Sequence, residues 1–145
     1  MTPDVVFQFC NNGVIPAWLL LAVAPRWSWT QRIVHAVWIP GLLGLVYGWA
    51  LFSGGPSPEG AGFGSLAAVM TLFTNPHAAL AGWIHYLCFD LFVGAWEVRD
   101  AQRRSIPHGW LLPCLLATLM LGPLGLLLYL AIRVALRRHT GLAEA

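Results

Sequence analysis

Four ionisable side chains, His77, His85, Asp90 and Glu97, lie within one apolar stretch, Asn75 to Asp100, NPHAALAGWIHYLCFDLFVGAWEVRD. Ionisable groups at bilayer depth are costly, so they face a bundle interior or a cavity and are functional candidates by default. Aspartic acid can give up a proton and imidazole can take one, the inventory that acid–base chemistry on an apolar ligand requires. On an ideal helix of about 100° per residue, Trp83, Asp90 and Glu97 form one stripe, flanked by Tyr86, Leu87 and Gly94. The two carboxyl groups stand about 10 Å apart along the axis, too far for a close dyad. Glu97 lies near the Arg99 end, where hydration is expected, so Asp90 is the deeper charge. His85 projects roughly 140° away from Asp90, so the two meet only through a kink, a water or another helix. The residues alone leave two roles open for Asp90: proton transfer, or pairing with an arginine or amide on another span.

These groups need helices to carry them. The chain is 58% hydrophobic and only 10% charged, against about 25% charged residues in an average soluble domain. Its 145 residues allow one domain. The reading is an all-α, polytopic membrane helical bundle with spans at about 5–24, 33–52, 77–98 and 110–132, and a short re-entrant or interfacial helix at about 62–74. Asn75-Pro76 supplies an N-cap and a first-turn proline for the third span. In the first span Gln8, Asn11 and Asn12 make a polar half that should face protein or water, and Pro16 is placed to kink it. In the last span Pro113 and Gly122-Pro123 should bend the helix. No cleavable signal precedes the first span, which is kept as part of the membrane domain.

All eight basic residues are arginines, set beside the apolar runs with Trp27 and Trp29 among them, as at a headgroup layer. His35 and His108 fall near span ends, where contact with headgroups or water is expected. No clustered basic face suggests nucleic acid. Cys10, Cys88 and Cys114 lie inside spans with no CxxC or CxxH pair, so they read as small buried apolar residues, and neither a metal nor a cofactor is called for. Four crossings divide the arginines five against three between the two faces, and the positive-inside rule does not choose an orientation. A solvated tail is expected at Gly141–Ala145.

The ordered series NPHAALAGWIHYLCFDLFVG, Asn75 to Gly94, followed by GPLGLLLYLAIR, Gly122 to Arg133, resembles the abscisic-acid-deficient-4-like family of small integral membrane proteins. APRW at Ala24–Trp27 is a weaker echo of the same family. That family includes the plastid protein required for neoxanthin formation, together with bacterial relatives. The resemblance implies a carotenoid or other isoprenoid as ligand and an isomerisation without redox change, violaxanthin to neoxanthin in the plant members. With no plastid transit peptide ahead of the first span, a bacterial cytoplasmic membrane is the expected location.

Opening an epoxide to an allenic alcohol needs an acid at the oxygen and a base at a polyene carbon. Asp90 is expected as the acid and His85 as the base. Asn75, His77, Trp83, Tyr86, Asn11 and Asn12 are expected against the substrate, and Glu97 and Arg133 in structural or charge-pairing roles. The competing reading is a non-catalytic lipid- or pigment-binding membrane protein in which Asp90 pairs with Arg133 or bonds to Asn11 or Asn12. The bilayer is the first partner in both readings, and a homo-oligomer would help enclose a long ligand.

Overall fold

The computed structural model describes residues 1–138 and 140–141, and among these the regular elements are all helical. They are α1 (Pro3–Gly13), α2 (Ile15–Val23), α3 (Ser28–Ile33), α4 (Trp38–Ser53), α5 (Leu66–Leu72), α6 (Pro76–Arg103), α7 (His108–Leu121) and α8 (Pro123–Arg137). The solvated tail expected at the C-terminus lies, from Leu142 onward, outside the described residues.

Proline sets many of these boundaries. Its fixed φ and missing N–H suit the first turn of a helix and disrupt the turn before it. Pro3, Pro76 and Pro123 begin α1, α6 and α8, while Pro16 and Pro40 fall in the first turns of α2 and α4. Pro16 therefore separates α1 from α2 at Val14. The second span expected at 33–52 is regular only from Trp38, two residues before Pro40, as α4; α3 precedes it in the stretch expected at the headgroup layer, with an irregular segment at residues 34–37 between them.

Three runs are long and apolar enough to cross a bilayer: Pro3–Val23, Ser28–Ser53 and Pro76–Arg103. At 7 residues, or about 10 Å, α5 is too short to cross. Ser65 caps α5 by accepting from the Ala68 N–H at 3.1 Å.

The expected last span, 110–132, is not one helix. Gly122, at φ 52° and ψ −105°, is in backbone space open mainly to glycine, and it reverses the chain between α7 and α8. The two helices pack on each other, with Gly125 of α8 against the backbone of Thr118 in α7. The Arg137 guanidinium at the end of α8 donates to the Ser105 carbonyl just ahead of α7. The pair is thus a hairpin whose two ends share one level. With 14 and 15 residues, its arms are each about 21–23 Å long, short of the roughly 30 Å hydrocarbon core.

The chain forms two compact units, and α6 contributes to both. Unit one holds residues 1–14 and 38–88; unit two holds 15–37 and 89–145. Val6, Leu43, Ala50, Leu80, Ile84 and Leu87 are buried in unit one, and Trp18, Leu21, Leu91, Val98, Leu111 and Leu115 in unit two. The buried side chains also include Glu97, Asp100 and Arg133, whereas Phe9, Leu45, Phe89, Phe92, Leu116 and Leu127 are exposed. Apolar residues outside and ionisable groups inside, bonded to other side chains, are the arrangement a lipid solvent favours. Of the cysteines only Cys114 is fully buried; Cys10 and Cys88 are half-buried.

Asn75 organises the start of α6. Its Oδ1 accepts from the His77 N–H at 2.8 Å, and its Nδ2 donates to the Gly54 carbonyl at 3.0 Å. Asn75→Ala is expected to cost about 1 kcal/mol from the cap alone and more with the tie to Gly54 lost. Asn75→Asp should keep the cap and lose only the tie. Thermal unfolding of both variants in one detergent measures the split, and equal midpoints for the two would contradict it.

Candidate functional site

In unit one an aromatic cleft of about 380 Å³ is lined by Asp4, Phe7, Pro76, Ala79, Leu80 and Trp83, with Pro3 at its edge. Trp83 donates its indole N–H to Asn11 Oδ1 at 3.1 Å. Phe7 lies 5.5 Å from the Trp83 ring, and Tyr86 stacks on it at 5.3 Å. Phe7 and Asn11 of α1 therefore face the first half of α6, whereas Gln8 is exposed. A helical spacing of three residues puts Trp83 and Tyr86 on neighbouring positions of one face.

The other expected residues of this unit lie apart from that cleft. The His77 ring packs at 5.9 Å from Trp49, and exposed His85 sits 6.2 Å from Tyr47. Asn12 is exposed, while Asn75 has both ends of its amide engaged by backbone. Trp83, Tyr86 and Asn11 are thus brought together, and His77, His85, Asn12 and Asn75 are not among them.

Unit two contains the charged groups. Half-buried Asp90 lies within electrostatic range of Glu97 along α6. Glu97 is fully buried instead of hydrated, because the hairpin covers it; its carboxylate accepts from the Thr118 hydroxyl at 3.0 Å. No arginine or lysine among the described residues forms an ion pair with it.

Asp100, three residues further along, has the opposite environment. It accepts from Arg104 Nε at 2.8 Å and from the Tyr129 hydroxyl at 2.6 Å, and it forms an ion pair with Arg133, whose Nε lies 2.9 Å away. Trp96 closes the cluster, with its ring 5.9 Å from the Arg133 guanidinium and edge-on to Tyr129 at 5.6 Å. A carboxylate held by two guanidinium groups and a phenol is a satisfied buried anion. The expected charge-pairing role of Arg133 is thus met by Asp100, not by Asp90.

Sequence reasoning passed over Asp100, Trp96, Arg104, Thr118 and Tyr129. Two spacings carried a signal. Trp96 and Asp100 share one face of α6 at a spacing of four, with Arg104 four residues further on just past its end, and Tyr129 and Arg133 share a face of α8 at the same spacing. An arginine within an apolar helix calls for an acidic partner, and Asp100 lay only three residues beyond Glu97. His35, expected to meet headgroups or water, accepts at Nδ1 from Arg99 at 3.0 Å.

No group of three or more His, Cys, Asp or Glu side chains among the described residues is arranged to hold a metal. The cleft of unit one is walled by aromatic and aliphatic side chains, and unit two holds the buried carboxyl groups of Glu97 and Asp100. No curated protein and no solved structure matches the chain. The ABA DEFICIENT 4-like family model matches residues 5–129, from the start of α1 to Tyr129 in the hairpin, and the chain belongs to that family of membrane proteins.

Proposed function

We propose that the protein is a multi-pass membrane isomerase that acts, without a cofactor, on a carotenoid or related isoprenoid within the bilayer. Family membership supports the substrate class. The observation that carries the chemistry is the contrast along α6 between Asp100, clamped by two arginines, and Glu97, whose hydrogen bond comes from a hydroxyl. Burying an ionised carboxylate without a cation costs far more than burying the acid, so Glu97 marks a proton-carrying position on this helix, and Asp90 lies within electrostatic range of it. Asp90 is the partly accessible member, and we assign it as the acid that meets the ligand.

In the reaction Asp90 protonates an epoxide oxygen as its C–O bond breaks. A base removes a proton from a polyene carbon, and the electron pair left behind becomes the new double bond. Atoms and oxidation level are unchanged. The base we assign is His85, which is exposed on α6 beside Tyr47. Trp83 and Tyr86 offer aromatic faces for a polyene to stack against.

A second reading, non-catalytic binding of a lipid or pigment, is favoured by the aromatic cleft taken alone. Pigment chromatography of membranes from a host that makes epoxy-xanthophylls separates the two. Catalysis predicts a new isomer of unchanged mass, lost by about 10²–10⁴-fold in well-folded Asp90→Asn, as expected for removal of a general acid. Unchanged pigment composition, with pigment retained on the purified protein, would establish binding instead.

A further inference from the structure

Every arginine of the chain belongs to unit two. The hairpin returns Arg133 to Asp100 and Arg137 to Ser105, beside the α6–α7 turn that follows Arg99, Arg103 and Arg104. The α2–α3 turn reaches the same place: Gln102 Nε2 donates to the Pro25 carbonyl at 3.2 Å, and Arg99 meets His35. The five-against-three division expected for four crossings therefore becomes a single cationic end.

Within this end lies a cavity of about 530 Å³, bounded by Ala24, Pro25, Arg26 and Trp27 on one side and by Gln102 and His108 on the other. Its walls are braced. His108 Nε2 lies 2.7 Å from the Ala22 carbonyl, and the Thr30 hydroxyl donates to the Ala24 carbonyl at 2.7 Å. Several nearby arginines are already engaged: Arg104 and Arg133 with Asp100, Arg137 with Ser105, and Arg32 over the Trp29 ring at 5.8 Å. Arg26, on the cavity wall, has no ion-pair partner among the described residues. Its neighbour Trp27 is half-exposed beside the same opening.

We propose that this cavity seats the phosphate-bearing headgroup of an anionic phospholipid, with Arg26 as the phosphate ligand. A guanidinium fork matches phosphate oxygens, and tryptophan is favoured at headgroup level. The surrounding arginines add the general attraction of a cationic surface for an anionic leaflet. The site is independent of the isoprenoid reading, because neither Asp90 nor His85 lines it.

The test uses the full chain reconstituted in vesicles of equal parts phosphatidylglycerol and phosphatidylcholine, followed by native mass spectrometry of the lipid that stays bound. Wild type is expected to retain phosphatidylglycerol in preference. Arg26→Gln should reduce that retention about tenfold, as loss of one charge-assisted contact implies, while Arg32→Gln, outside the cavity, should preserve it. Equal retention by Arg26→Gln and wild type, or no preference for the anionic lipid in wild type, would overturn the proposal. Displacement of the lipid by inorganic phosphate would also overturn it, by identifying a soluble phosphate compound as the ligand; resistance to phosphate supports the lipid.

Discussion

Gly125→Ala is expected to open the α7–α8 hairpin and to be among the most destabilising single substitutions in the chain. A Cβ at Gly125 would stand 2.1 Å from the Thr118 amide nitrogen and 2.4 Å from its Cα. Ordinary overpacking costs about 1–3 kcal/mol because side chains can shift. Here the obstacle is backbone within a helix, so the cost should lie at or above the upper end of that range. Against a typical reserve of about 5–15 kcal/mol, this should produce a large drop in midpoint and in monodisperse yield.

Thr118→Ala provides the control. It removes the hydroxyl that meets the new methyl but leaves the backbone contact, so it should not rescue Gly125→Ala. By itself it should expose the role of the Thr118–Glu97 bond at the smaller cost of one hydrogen bond to a buried partner, about 1–3 kcal/mol. A Gly125→Ala protein that melts with wild type would show that the arms are not in contact.

The second large effect concerns Arg133. Removing one member of a buried ion pair typically costs about 3–5 kcal/mol, because the partner charge is stranded. In Arg133→Met, Asp100 would still have Arg104 and Tyr129, so a loss near the lower end, about 3 kcal/mol, is expected. Asp100→Leu should cost more, since it leaves the Arg133 guanidinium buried without its carboxylate. The double variant Asp100→Leu/Arg133→Met should recover part of the sum, because matched apolar replacements avoid the stranded charge. A double-mutant cycle of unfolding free energies reads the coupling directly. Strict additivity would mean that Asp100 and Arg133 do not act as a pair.

These two sites also mark the limit of what could be read from sequence. The third membrane run was legible because its signals are local: an Asn-Pro start, an apolar body and a polar end. Family membership was legible because the ordered motif from Asn75 to Gly94 survives as a string. Nothing local distinguishes a bent span from a hairpin. Hydropathy is the same for both, and Gly122-Pro123 is compatible with either. The choice rests on Gly125 meeting Thr118, a contact formed only after the chain reverses.

The position of Asp100 was obscured for the same reason. In sequence it opens a polar run with Arg103 and Arg104, which reads as a solvated helix end. Its burial depends on Tyr129 and Arg133 coming back along α8. The burial of Glu97 depends on Thr118 of α7. Asn11 and Trp83 illustrate the reverse case: the odd polarity of α1 pointed to a partner, and residue type alone sufficed to suggest that it lay across a helix interface.

The hairpin has a consequence for biosynthesis. During synthesis, residues 108–137 emerge as one apolar stretch whose composition would satisfy an insertion machinery as a complete crossing. Gly122 and Pro123 instead turn it back, so that Arg137 returns to the level of Ser105, where the stretch began. A small change at this corner could convert a returning hairpin into a full crossing and transfer the last three arginines to the opposite compartment. The sidedness of the C-terminus would then be a property of one turn, open to inversion without any alteration in the remaining helices.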